Sequence, residues 1–369
     1  MADRIEGRTM KQEREPAGTE ITEVAPGVLR LQLPVRMPGL GHVNTYLFED
    51  KRGAAVIDPG MPGPGSRRAL RTRLHDAGFR IRDVHTVIVT HSHPDHYGAA
   101  AHLAKVSGAE LVAHETFQSW IGDTSPCIDE DHDHNESPDP DEQCAASRHG
   151  AHMGPPWSQP MPWSSQKGWG ALARTSTVKA FQPLMRRFGP PVPTRRLRTG
   201  EVITLANREW IAHHTPGHTP DHLCLHDPTE HVLISGDHVL PTITPHIAGV
   251  GGGPSPMAAF LRSLDEIAEL DSVRTVLPAH GHPFHNLVER VEAIRRHHEE
   301  HFVTLKTASE KLGWATVAEL SHELFAQRNW GFMAESETYA HLEHLRLQGA
   351  AEREREPGTG KLRYLITSG

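Results

Sequence analysis

Cysteine, aromatic rings and positive charge are all scarce in this chain. The three cysteines, Cys127, Cys144 and Cys224, are odd in number and match no disulfide framework or cysteine-rich zinc site. That excludes a disulfide-stapled secreted scaffold and points to a reducing, cytoplasmic location. No apolar run approaches the roughly 18 residues that a membrane-spanning helix needs, and the charged start lacks the apolar stretch of a secretory signal. Lys and Arg number 38 against 46 Asp and Glu, a net charge of −8. Gripping a phosphate backbone takes clustered cations, so nucleic acid is not an expected partner. Aromatic residues make up 6% of the chain.

What is plentiful is histidine, with 29 residues, beside 29 Pro and 32 Gly. Core packing does not call for so many imidazoles, whereas metal binding does. A chain of 369 residues with 37% hydrophobic content predicts a principal domain plus a smaller one. The start contains Ile5-Glu6-Gly7-Arg8, which resembles an engineered protease site, so residues 1–18 read as a disordered tail or a fusion scar.

Hydrophobic patterning predicts strands over Val28–Leu33, Asn44–Glu49 and Ala54–Ile57, the last two joined by a turn at Asp50-Lys51-Arg52-Gly53. Ser66–Ala77 has helical spacing and stops at Gly78. The β-branched run Val84–Thr90, an Ala-rich helix at Gly98–Ser107 and a strand at Glu110–Ala113 make a βαβ unit. Residues 115–197 are rich in Pro, carry an acidic and His-rich run at 129–134, and include Trp157, Trp163 and Trp169. They read as an insertion, disordered over 125–150, whose aromatic part packs down as a lid or pocket wall. Strands return at Glu201–Leu205, Glu209–His213, Leu223–His226, Val232–Ser235 and Thr275–Leu277, with helices at Pro256–Leu270 and 285–312.

The chemistry concentrates in His91-Ser92-His93-Pro94-Asp95-His96, just past the strand Val84–Thr90. Two imidazoles at i, i+2 from an extended loop can turn toward one cation, and Asp95 with His96 toward a second. Imidazole and carboxylate ligands suit zinc, iron or manganese. Three later features share the same context, each on a loop after a strand: His218 in Thr215-Pro216-Gly217-His218, Asp237 in Ser235-Gly236-Asp237, and His280 in Pro278-Ala279-His280. A sheet presents ligands at one such edge. His213, His214, His222, His238 and His282 stand beside these motifs and read as neighbours that line or steady the site. Cys224, inside an apolar strand, reads as a packed thiol.

The order of these motifs resembles the metallo-β-lactamase superfamily over roughly residues 20–290, and within it the dinuclear glyoxalase II and thioesterase-like branch. The resemblance implies an α/β fold, a four-layer αββα sandwich over residues 19–290, with the insertion at 115–197. It implies two divalent metal ions, zinc first, with iron or manganese as alternatives. His91, His93 and His218 would hold one, and Asp95, His96 and His280 the other. Asp237 would bridge them. Asp58, after the strand Ala54–Ile57, would orient a ligand, and His282 would stand behind the site. Asp95 and Asp237 would serve catalysis directly. β-Lactam-cleaving members commonly have Cys at the position of Asp237, which argues against that substrate. A metal-bridging hydroxide acting on a small acyl substrate, a thioester or lactone, is the expected activity. A nuclease or phosphodiesterase of the same fold, or an iron-dependent persulfide oxygenase, are the alternatives.

Residues 291–369 read as a helical linker followed by a winged-helix-like domain: helices at Val317–Gln327 and Glu335–Gln348, then a hairpin of 352–356 and 362–367. From 301 to 369 there are 8 Lys or Arg and 9 Asp or Glu, so the module carries 8 − 9 = −1. It is a poor reader of a major groove. Packing or homodimerisation is its expected role.

Overall fold

In the computed structural model, residues 11–37, 39–118, 161–164 and 190–367 are described. They form two compact units. The first comprises 11–118, 190–246 and 259–299, the second 161–164, 247–258 and 300–367.

The first unit is built on two sheets. One runs in the order β1 (Thr22–Ala25), β2 (Val28–Met37), β3 (Leu40–Asp50), β4 (Gly53–Ile57), β5 (Val84–Ile88), β6 (Glu110–His114) and β7 (Arg195–Leu197). Its first four strands pair antiparallel and β4 to β7 pair parallel. α1 (Pro64–Asp76) connects β4 to β5, and α2 (Pro94–Tyr97) with α3 (Ala100–Ser107) connects β5 to β6. That is the expected βαβ unit. The second sheet holds β8 (Val202–Leu205), β9 (Arg208–His214), β10 (Leu223–Asp227), β11 (Val232–Gly236) and β12 (Thr275–Pro278). The two sheets share a core in which Val28, Tyr46, Phe48 and Ile57 meet Ile203, Trp210, Leu225 and Ile234. Phe48 and Trp210 contact edge to face with ring centroids 5.1 Å apart, a geometry that adds about 0.5–1.5 kcal/mol to the burial itself. Helices α4 (Pro256–Ala268) and α5 (Leu287–Leu312) flank β12 in the chain.

Two expectations change here. Residues 1–18 are not all tail. Residues 1–10 lie outside the described residues, but Gln12–Arg14 is a 3-10 helix with Glu13 fully buried. The Glu13 carboxylate accepts from Thr242 N at 2.8 Å and Ile243 N at 3.0 Å. Multiple donors are what make a buried carboxylate tolerable, and a charged segment without periodicity gives no sign of them. The insertion is also shorter than 115–197, because β7 already pairs with β6 at Arg195–Leu197. An edge strand that begins Arg195-Arg196 shows no apolar alternation to announce it.

The acidic run at 129–134, Cys127, Cys144, Trp157 and Trp169 lie outside the described residues. Trp163 is described and belongs to the core of the second unit, with Tyr339 4.9 Å away and its Nε1 donating to Glu335 Oε2 at 2.8 Å.

The second unit takes the C-terminal half of α5, then β13 (Ala315–Thr316), α6 (Val317–Leu324), α7 (Phe332–Leu347), β14 (Ala351–Arg355) and β15 (Leu362–Ile366). The strands order as β13-β15-β14. Thr316 caps α6, accepting from Glu319 N while the Glu319 carboxylate accepts from Thr316 N. Leu305, Leu320, Leu342 and Tyr364 fill its core. The expected helix–helix–hairpin order is present. The division falls inside α5, at residue 299, not at 290, and residues 247–258 also belong with the second unit.

Candidate metal centre

Each group of the centre sits where a strand ends. β5 ends at Ile88, and Val89 and Thr90 follow, tied by backbone bonds to Val112 and Leu223. His93 then precedes α2, whose first residue is Pro94. Pro is well placed at a helix start, where its missing N–H loses nothing. One helical turn carries Asp95 and His96 around, so one short segment serves two separate ligand groups.

The structure brings all seven expected residues together. His91, His93, His218 and Asp237 form one group whose ligating atoms lie within 4.8 Å of one another, and Asp95, His96 and His280 form another. His93 Nδ1 is 3.0 Å from both His91 Nε2 and His218 Nε2. Asp95 Oδ2 is 3.4 Å from His280 Nε2 and 3.7 Å from His96 Nε2. Asp237 stands between the groups: Oδ2 is 3.5 Å from both His96 Nε2 and His218 Nε2 and 3.9 Å from His91 Nε2, while Oδ1 is 3.4 Å from His280 Nε2. Ligand atoms on a tetrahedral ion bound at about 2.0–2.1 Å stand roughly 3.3 Å apart, so these spacings fit.

The outward ring nitrogens are held. His96 Nδ1 donates to Asp58 Oδ2 at 2.8 Å. Thr90 Oγ1 donates to the same carboxylate and is 3.0 Å from His91 Nδ1, so Asp58 steadies His91 through Thr90. His218 Nδ1 donates to the His246 carbonyl at 2.8 Å, and His280 Nδ1 to the His42 carbonyl at 2.6 Å. Such partners fix the tautomer and aim the lone pair of the other nitrogen at the ion. Asp58 itself adopts φ +52°, an uncommon left-handed conformation held by bonds from Thr45 Oγ1 to its carbonyl and from its N–H to Ile88. Asn44 fixes the His280 loop, its side chain donating to the carbonyls of Pro278 and Gly281 at 2.8 and 2.9 Å.

Three buried atoms in this cage, His96 Nε2, Asp237 Oδ1 and His280 Nε2, make no hydrogen bond. Orphaned buried polar atoms are rare and ask for an explanation. The electrostatics supply one. Burial opposes charge on His280, yet Asp237 and Asp95 push its pKa up to about 10, and Asp237, Asp95 and Asp58 push His96 well above the ordinary range against the same burial. Burial also resists the Asp95 carboxylate, but His96 and His280 hold it at about 2. The carboxylates demand positive charge at the place where the lone pairs converge, and a divalent cation meets that demand.

The neighbours divide. His222 is not positioned as a ligand: its Nε2 accepts the Asp237 N–H at 3.0 Å and its Nδ1 is 2.7 Å from Thr215 Oγ1. The ring lies so close to Gly236, at φ +51°, that a Cβ there would sit 2.5 Å from Nε2. Only glycine admits this approach, which turns Asp237 into the centre. His282 departs from expectation. Its Nε2 contacts Glu15 Oε2 at 2.8 Å and its Nδ1 lies 3.3 Å from Arg30, so it ties down Gln12–Glu15 and backs no ligand. His42, through its carbonyl, plays the part expected of His282. His222 steadies the site as expected, whereas Thr90, His42 and Asn44 carry no sequence signal as supports, though Thr90 adjoins the first ligand motif. Cys224 is a packed thiol, fully buried, and burial pushes it up to about 12.

A two-sheet sandwich with this cage at its strand ends is a scaffold suited to metal-dependent chemistry. Residues 38–280 match the metallo-beta-lactamase superfamily, and the chain belongs to it. A metallo-beta-lactamase family protein from Thermus thermophilus is 28% identical with a TM-score of 0.69, over 94% of this chain and 100% of that one. A beta-lactamase domain protein from Burkholderia ambifaria is 26% identical with a TM-score of 0.72, over 96% of each chain. Among curated proteins, the acyl-coenzyme A thioesterase MBLAC2 of Gallus gallus is 47% identical over 51 residues, 14% of this chain and 18% of that protein. The chain spans 18–36% of the length of the first curated relatives it matches.

Proposed function

We propose that this chain hydrolyses a small acyl substrate, foremost a thioester, with a lactone as the next candidate, using two divalent metal ions that are zinc in the first instance. His91, His93 and His218 hold one ion, Asp95, His96 and His280 the other, and Asp237 contributes to both. The observation that carries this reading is the placement of Asp237, with one oxygen toward His280 and the other toward His96, His91 and His218. A mononuclear oxidative centre has no use for the second group of ligands.

Such ions supply a water acidic enough to ionise near neutral pH and a Lewis-acid contact for the substrate carbonyl. The chain's own contribution is orientation. Asp58 and Thr90 keep His96 and His91 in one tautomer, and the Gly236 turn fixes the Asp237 backbone against His222. Asp95, as a ligand of the second ion, would be a carboxylate at neutral pH. It can accept a hydrogen bond from the attacking water but gives up a proton poorly to a leaving group. A thiolate, conjugate to a thiol with a pKa of about 8.5, departs with little acid assistance. An amide nitrogen does not, which favours a thioester over a β-lactam. The matched stretch of an acyl-coenzyme A thioesterase supports the same choice.

We read the helix–helix–hairpin order of the second unit as winged-helix-like, and its slight acidity as pointing away from nucleic acid. The decisive experiment measures metal content together with hydrolysis of acyl-coenzyme A, a lactone and single-stranded RNA. Two zinc at this centre with thioester turnover supports the reading. A single iron, or turnover of RNA alone, overturns it.

A further inference from the structure

Away from the catalytic centre, the second unit carries another convergence of ligating groups. α5 supplies His301, and α7 supplies Glu337 and His341, spaced i, i+4 on one face. Their ligating atoms lie within 4.8 Å of one another. Small rotamer movements bring such atoms to the roughly 3.3 Å spacing of a tetrahedral ion.

Two further observations favour a ligand role. His341 Nδ1 donates to the Glu337 carbonyl at 2.8 Å, which orients the ring and, in the neutral tautomer, puts the lone pair on Nε2. This is how the metal-binding imidazoles of the first unit are held, and backbone carbonyls are usual orienters of ligating histidine. The surroundings are also those of a built site. Phe302 packs on His341 with ring centroids 5.1 Å apart, and Phe325 on His301 at 5.6 Å. His341 is fully buried, whereas His301 and Glu337 are half-buried, leaving an approach for an ion from solvent. α5 carries another buried imidazole, His298, one turn before His301.

We propose that His301, Glu337 and His341 form a separate binding site for one divalent first-row transition ion, zinc or a cation of similar ligand preference, which clamps α7 to the C-terminal half of α5. Two imidazoles and one carboxylate suit this class and disfavour calcium or magnesium, which prefer all-oxygen shells. The site is structural and lends no group to hydrolysis.

The test uses the full chain loaded with zinc, dialysed, and assayed by elemental analysis beside His341→Ala, Glu337→Gln and His301→Gln. The expected result is one zinc fewer per chain in each variant, whatever number the catalytic centre holds, with acyl hydrolysis unchanged. Loading with Co2+ should give a visible ligand-field spectrum that loses one component in the variants. Circular dichroism identifies folded variants, and Glu337→Gln, which preserves side-chain size, keeps the test open should His341→Ala fail to fold. Equal zinc content in the wild type and any folded variant overturns the proposal.

Discussion

Asp237 and Glu343 are both buried carboxylates, and they are handled in opposite ways. Glu343, in the second unit, is closed off by its own chain: Tyr364 Oη donates at 2.5 Å, Arg346 Nε at 3.1 Å and Arg353 at 3.2 Å. Asp237, in the first unit, faces imidazoles on both sides, and its Oδ1 makes no hydrogen bond. One carboxylate is compensated by residues, so it holds the hairpin to α7. The other keeps an unbonded oxygen among imidazoles, an arrangement that a cation would complete. Burial alone therefore separates nothing; the donors around the group decide whether it belongs to stability or to function.

Four changes test that contrast. Asp237→Ala should abolish binding of both catalytic ions and lower hydrolysis by about 10³-fold or more, at least about 4 kcal/mol of barrier, with the fold retained. Kinetics and metal content check it, and full activity in this variant would end the ligand assignment. Glu343→Ala should do the reverse, costing about 3 kcal/mol of stability by removing the buried acceptor that Tyr364, Arg346 and Arg353 share, while turnover stays normal. Urea denaturation read beside the assay would break the comparison if both variants failed in the same way. Asp58→Ala acts one step behind the ions and should weaken metal affinity about 10- to 100-fold, or about 1.4–2.7 kcal/mol, measured by competition with a chelator.

The smallest effect concerns a buried imidazole stacked on another imidazole. His114 stacks on His214 at 3.9 Å, and burial, with help from His214 and Arg196, lowers it to about 3. The folded state keeps the ring neutral, while the unfolded chain protonates near the ordinary value of about 6.5. Its contribution is therefore intact above that pH and fades as pH falls toward 3, by at most about 1.4 kcal/mol per pH unit. His114→Asn should flatten the fall in Tm between pH 7 and pH 5. An unchanged slope would place the acid sensitivity elsewhere.

The clustering of the seven residues was legible because they come in short runs after strands, where residue type and position reinforce each other. Its supports were not, since Asn44 and His42 lie more than 230 residues from the His280 loop they hold and look like ordinary strand residues. The alternating strands were legible for the same reason as the ligands, because spacing carries them. β7 was hidden by its arginines, and the order of Gln12–Arg14 by its charge, because each gains its structure from distant partners and none from local pattern. The cluster at His301, Glu337 and His341 also went unread, because its parts are spread over two helices and only tertiary packing unites them.

The seat of Glu13 has a consequence for how the chain is made. Its carboxylate bonds to Thr242 and Ile243, and its neighbour Gln12 to His282. At about 5–20 residues per second, a ribosome delivers those partners on the order of tens of seconds after Glu13 emerges. Until then Gln12 and Glu13 wait without these contacts, so closure around the last ligand loop comes late in synthesis, after most strands of the sandwich have left the exit tunnel.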